Sequence, residues 1–268
     1  MKMSKSIVCL LITVHLLNAC DVSYPKETLV QSLEKLIQKE CGQDSKACIF
    51  GRTLYLDIEL DGLISQEKEA ATQAIRKMNT AVFSAIRVVL SSDSDIQYMV
   101  TTAYDHDKNV ALRIVRSIND AKSRYYGRIS RSDYYESRNL VEERSGHEFS
   151  EKMISDKHDI TVDEYVGRLI VSRINMTPRT DPPFRALGPT LRLLYLGIGN
   201  ENLILLVLGD TSVGVVATLK DILKENLESY SKKYDMFFDK IIVVGFSSKD
   251  ILLYHWMMYN QSVLRNLH

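Results

Sequence analysis

The chain of 268 residues lacks most of the features that announce a function. Lys+Arg and Asp+Glu stand at 34 each, so no global charge draws the protein to nucleic acid. Cysteine occurs only four times, too sparsely and too far from histidine for a structural metal site. The longest apolar run near the start, Ile7 to Leu17, is too short to span a bilayer. Proline is nearly confined to one stretch, Thr177 to Thr190, where Pro178, Pro182, Pro183 and Pro189 forbid a helix. No serine stands in a nucleophile elbow. These absences argue against an enzyme, and no cofactor or metal is expected. The apolar content of 45% nevertheless suits a packed globular body.

What the first residues do carry is an address. Lys2 and Lys5 precede the apolar run, which ends in Leu17-Asn18-Ala19-Cys20. Short apolar stretches behind a basic start read as secretory signals rather than anchors. The ending resembles the lipobox of bacterial lipoproteins. That resemblance covers residues 1–20 alone and implies a signal peptide over 1–19, with Cys20 lipidated at the mature N-terminus. It further implies a location in the bacterial cell envelope, held to the membrane by lipid on the periplasmic or outer-surface side. Helix signals begin almost at once after Cys20, so the tether is short: five extended residues reach at most ~17 Å. With Cys9 and Cys20 accounted for, Cys41 and Cys48 are left as an even pair, and an exported protein invites a disulfide between them.

Periodicity gives an α+β fold. Leu29, Val30, Leu33, Leu36 and Ile37 follow helical spacing. Ala47–Phe50 and Thr53–Leu60 read as a hairpin, the second strand alternating Leu54, Leu56, Ile58 and Leu60 with Thr53, Tyr55, Asp57 and Glu59. That alternation predicts a strand buried on one face only. A long helix over Ser65–Leu90 carries the stripe Ala71, Ile75, Met78, Val82, Ala85 and Val89. Ile96–Tyr104 and Asn109–Arg116 form a second hairpin. Near the C-terminus the order returns: Leu191–Ile198 with Leu203–Leu208, a helix over Val213–Tyr230, then Ile241–Phe246 with Ile251–Met258. The expectation is two ββαββ-type modules with antiparallel sheets and packed helices, integrated into one body: module one over 20–177 and module two over 178–268. Strands such as 203–208 are apolar on both faces and call for cover on both. The helix over 162–175, with Val162, Tyr165, Val166, Leu169 and Ile170, is the expected second cover.

Several near-motifs carry little chemistry. Gly209-Asp210-Thr211-Ser212-Val213-Gly214 has the place of a phosphate loop, but Val215 and Val216 stand where Lys and Ser/Thr belong, which leaves a helix start capped by Thr211 or Ser212. Asp105, Asp107 and Asn109 imitate a calcium loop, while Val110 replaces its glycine and Arg116 its glutamate. His147, Asp156, His158, Asp159 and Glu164 form the one cluster with acid–base character, and His255 lies in an apolar strand. The sequons at Asn175 and Asn260 matter only in a eukaryotic source.

One segment has the character of an interface. Residues 117–144 read as helical, and Arg124, Tyr125, Tyr126, Arg128, Arg131, Tyr134 and Tyr135 crowd one part of it. Tyrosine and arginine dominate binding hot spots because they combine large amphipathic area with forked donors. From Arg113 to Arg144 eight basic residues stand against five acidic, an excess of three. The expected function is a non-enzymatic adaptor or assembly factor that binds another envelope protein through these residues. The alternatives are a binder of anionic glycan or phospholipid headgroups, and a hydrolase built around His147 and His158. Any small-molecule ligand is unidentified at this level, and nucleic acid is not an expected partner.

Overall fold

A computed structural model describes residues 24–63, 68–108, 110–144, 157–178, 180–199, 202–209, 212–238, 240–245 and 256–258. A 3-10 turn at Lys26–Thr28 leads into α1 (Leu29–Cys41). This helix buries Leu29, Leu33 and Ile37 and stops at Gly42, whose φ of 64° suits a residue without Cβ. The hairpin β1 (Ser45–Phe50) and β2 (Thr53–Glu59) comes next, then α2 (Lys68–Leu90) and a second hairpin, β3 (Tyr98–Asp105) and β4 (Val110–Ser117). Two short helices, α3 (Ile118–Tyr125) and α4 (Arg131–Glu136), precede β5 (Asn139–Arg144). The second half is α5 (Val162–Met176), β6 (Arg192–Gly199), β7 (Asn202–Leu208), α6 (Val213–Tyr234), β8 (Lys240–Gly245) and β9 (Trp256–Met258).

The fold is α+β, with two sheets ordered β1-β2-β3-β4-β5 and β6-β7-β8-β9. Both hairpins of each half are antiparallel, as expected. The pairs β2–β3 and β7–β8 are instead parallel, which makes both sheets mixed. The reason is the helix between them: it carries the chain back to the end of the sheet where it started, and the next strand runs the same way. Residues 117–144 are not wholly helical either, because Asn139–Arg144 pairs with β4 as a fifth strand.

The two halves share more than a hairpin-helix-hairpin order. Each begins with its own helix, so α1-β1-β2-α2-β3-β4 and α5-β6-β7-α6-β8-β9 repeat both element order and pairing sense. One core lies between sheet one and the first two helices, where Leu54, Leu56 and Ile58 meet Leu33, Met78 and Val82. A second core crosses the middle of the molecule. Tyr55, Tyr98, Val100 and Val115 from the opposite face of sheet one join Tyr165, Val166, Leu169 and Ile170 of α5, Leu219 and Leu223 of α6, and Leu203, Leu205 and Val243 of sheet two. The layers therefore run α1/α2, sheet one, α5/α6, sheet two, and one hydrophobic core takes residues from both sides of position 177.

This arrangement corrects two expectations. Strand β2 is covered on both faces, since Thr53 and Tyr55 are buried by the α5 side. Sheet two has the reverse fate. Helix α5 lies beside α6 on the same inner face, so close that a Cβ on Gly167 would stand 2.7 Å from Leu203. The outer face, with Leu194, Leu196 and Leu208, stays exposed.

Candidate functional site

The interface-like segment forms a corner where β4, α3, α4 and β5 meet. Ser117 ends β4 and accepts a hydrogen bond from the Asp120 amide at 3.3 Å, which starts α3. Asp120 is buried, and its carboxylate accepts from the Tyr234 hydroxyl at 2.6 Å and pairs with Lys233 at 3.2 Å, bolting the end of α6 to this corner. Helix α4 opens with a capping box: Ser130 accepts from the Asp133 amide at 3.0 Å, and Asp133 accepts from the Ser130 amide at 3.2 Å. Those bonds hold the Asp133 carboxyl below the ordinary aspartate range.

On this frame the expected residues separate. Tyr125 is 75% exposed and stacks edge-to-face with Tyr126, centroids 5.5 Å apart, while Arg128 lies 5.7 Å from the Tyr126 ring. Arg124 and Arg131 are exposed as well. Tyr134 is not a contact residue: it is buried in the core with α1 and α2, and burial pushes its hydroxyl pKa up. Its ring instead supports a guanidinium, that of Arg116, at 4.7 Å. Tyr135 is half-buried and is ringed by three guanidinium groups, Arg116 at 6.0 Å, Arg131 at 5.5 Å and Arg138 at 5.3 Å.

Two of those arginines escaped the sequence reading. Val115 pairs with Asn139 at the end of the ladder, and Arg116 and Arg138 stand just past that pair, both guanidinium groups over the Tyr135 ring. Arg116 is 2% exposed, and among the described residues Nε, Nη1 and Nη2 all lack a hydrogen-bond partner. Burial and the neighbouring Arg116 charge both pull the Arg138 pKa down. Three of the neighbouring carboxylates are engaged: Asp133 with Ser130, Asp120 with Lys233, and Glu136 with Arg173 at 3.0 Å. Among the described residues no carboxylate pairs with Arg116, Arg131 or Arg138. A cleft of about 430 Å³ opens beside the cluster, lined by Tyr135, Arg138, Arg173 and Met176 and also by Glu136 and Asp181. Like charges held close together are destabilising, and a buried charge is costly unless compensated. Such an arrangement is one that an anion relieves.

The other candidates that are described make contacts within the fold. His147, Asp156 and His255 lie outside the described residues, as do Cys20 and Asn109. His158 Nε2 is 2.7 Å from Glu164 Oε2, and the other Glu164 oxygen accepts from Arg168 at 2.8 Å, which occupies that carboxylate. Asp159 accepts from the Arg52 amide at 2.9 Å and from Thr53 at 3.1 Å, and thereby holds the β1–β2 turn. Tyr55 donates to the His158 carbonyl at 2.8 Å. Asp105 accepts from the amides of Gly62 and Leu63 at 2.8 and 3.0 Å, which makes it the organiser of a turn. Ser212 occupies the N-cap position of α6. No group of three potential metal ligands occurs among the described residues.

The expected disulfide is corrected: Cys41 and Cys48 are both free thiols. Strand alternation explains the separation. Cys41 packs against the core of α1 and α2, whereas Cys48 points through the sheet to the central core, 3.4 Å from the Lys157 ammonium. Among the described residues no helix is long and apolar enough to cross a membrane. No protein-family model, curated protein or solved structure matches this chain.

Proposed function

We propose that this chain is a membrane-tethered, non-enzymatic docking protein of the bacterial envelope, and that its α3–α4–β5 corner receives an acidic segment of a protein partner. The observation that carries this reading is the trio of guanidinium groups around Tyr135, one of them buried and unpartnered. Arg138 and Arg131 are the residues that reach the acidic side chain, and Tyr125 and Tyr126 supply the apolar contact area. Arg116 sits behind them as a positioning charge that raises the local potential. The lipid anchor belongs to the same proposal and rests on Leu17-Asn18-Ala19-Cys20 alone.

The test is cross-linking in the native envelope with wild type and with a variant in which Arg124, Arg128 and Arg131 are all alanine. The cross-linked product is expected to vanish in the variant while thermal stability holds, because all three side chains are exposed. Unchanged cross-linking would remove this surface from the account. The same guanidinium trio also suits a phosphate-bearing headgroup or glycan. That second reading requires salt-sensitive co-sedimentation of the purified protein with anionic vesicles or cell wall.

A further inference from the structure

The cleft beside Tyr135 is bipolar. The end of α4 and the residues leading into β5 form one wall, and the last turn of α5 with the proline-bearing stretch after it forms the other. Arg138 gives the first wall a positive charge that no carboxylate pairs with among the described residues. The charges in between cancel, because Arg173 pairs with Glu136 at 3.0 Å. The second wall ends in Asp181, which is exposed. Its carboxylate accepts from the Thr180 hydroxyl at 3.4 Å and pairs with no cation among the described residues. Arg185 donates to the Thr180 carbonyl instead, at 3.3 Å. Backbone bonds fix the turn: the Asp181 amide donates to the Pro178 carbonyl at 3.1 Å, and the Asp181 carbonyl accepts from the Arg185 amide at 3.0 Å.

The same cleft offers apolar contact. Met176 is 48% exposed at the end of α5, and Pro178 and the half-buried Tyr135 line the cleft with it. A thioether is flexible and polarisable, which suits apolar side chains of varied shape. The Thr177 hydroxyl turns back on the Arg173 carbonyl at 2.7 Å. Tyr135 belongs to the corner and the cleft alike: Arg131 and Arg138 lie 5.5 and 5.3 Å from its ring, and it lines the cleft. A chain that sets an acidic side chain on these two guanidinium groups therefore continues past Tyr135 into the cleft.

Charge complementarity selects the occupant. A uniformly acidic segment would bring a second carboxylate to Asp181 and Glu136, where like charges repel. A segment with its acid at Arg138 and a cation at Asp181 meets opposite charge on both walls. An equidimensional cleft of 430 Å³ is about 9 Å across, the reach of roughly three extended residues at ~3.3 Å each. We propose that the segment received by the corner is charge-patterned: an acidic residue on Arg131 and Arg138, apolar residues on Tyr135, Met176 and Pro178, and a basic residue on Asp181. The inference rests on the docking role of the corner and specifies the chemistry of the partner.

The experiment is a fluorescence-anisotropy titration of the full chain against labelled peptides at low ionic strength, with both peptide termini capped to remove their charges. One peptide carries two leucines between a glutamate and a lysine, and the other has glutamate in place of the lysine. Both are also made in reverse order, because charge complementarity leaves chain direction open. In one of the two orders the patterned peptide is expected to bind roughly tenfold more tightly than the acidic one, as an attraction at Asp181 replaces a repulsion. In Asp181→Asn the two peptides should bind alike, and Arg131→Gln together with Arg138→Gln should lose both. An acidic peptide that matches the patterned one in either order, and is lost in the arginine variant, would overturn the proposal while the docking role of the corner stands. A preference for the patterned peptide that survives Asp181→Asn would also overturn it, since the lysine would then sit elsewhere. Binding of neither peptide to the wild-type chain would overturn the proposal and the docking role together.

Discussion

Replacing Arg116 with methionine should make this protein more stable. The guanidinium is 2% exposed, none of its three nitrogens meets the criteria for a hydrogen bond to a described residue, and Arg138 stands just past the end of the strand pair. An ion held out of water without a partner costs several kcal/mol, and apolar replacements of buried ionic groups are often stabilising by about 1–4 kcal/mol. Against this stands the loss of the contact with the Tyr134 ring at 4.7 Å, worth up to about 2 kcal/mol when desolvated. Methionine keeps an unbranched stem of similar reach, so the packing against Tyr134 survives. The net gain expected is about 1–3 kcal/mol, a rise in Tm of roughly 2–10 °C for a chain of this size. Thermal unfolding followed by circular dichroism, in chloride buffer without multivalent anions, reads it directly. A fall equivalent to about 3–5 kcal/mol, as when one partner of a buried pair is removed, would refute the reasoning. It would mean that Arg116 has its counter-charge within the chain and is a structural residue.

Three further outcomes rest on the geometry. Gly51 has φ 56°, and an added Cβ would fall 2.4 Å from the Asp159 carboxylate, itself fixed by Arg52 and Thr53. Gly51→Ala should therefore cost about 1–3 kcal/mol in urea unfolding, and a neutral result would contradict the placement of Asp159. Burial pushes the Tyr98 and Tyr195 hydroxyls up to about 12, and Tyr165 and Tyr234 higher still. Because the folded protein holds these protons more tightly than an unfolded chain with pKa about 10, their contribution is complete below that pH and is lost as pH rises towards 12. Phenolate absorbance from these four rings should then appear only together with unfolding, over and above that of exposed rings such as Tyr125 and Tyr126, and ionisation of every tyrosine in a protein with native circular dichroism would count against the buried four. Finally, both Cys41 and Cys48 should alkylate in denaturant without reductant, since both are free; a product that reacts only after reduction would restore the disulfide.

The sequence exposed local order well and long-range order poorly. The stripes of α2, α5 and α6 and the hairpins around Gly51 and Asn200 are legible because neighbours three, four or two residues apart report them. Parallel pairing of β2 with β3 is not legible, since it depends on how a 23-residue helix returns the chain. Strand β5 was masked by the Arg/Tyr helices before it. The same locality divided the site. Arg131 and Tyr135 share one short helix and stand out by composition, while Arg116 and Arg138 join them only through the pairing of β4 with β5. One signal was present: Arg116 falls on the same face of its strand as the buried Ile114, a place where an arginine needs a reason. Cys41 and Cys48 misled for a related reason. Seven residues apart in sequence, they end on opposite faces of sheet one.

The most direct test of the central claim, that an uncompensated arginine corner receives acidic partners, is a titration of fluorescently labelled poly-L-glutamate into the purified protein. It should be run at low and high ionic strength, with wild type beside an Arg131→Gln, Arg138→Gln variant. The account expects saturable binding that weakens with salt and is lost in the variant, whose circular dichroism stays native. Equal binding by the variant, or no binding by wild type at low salt, would contradict it.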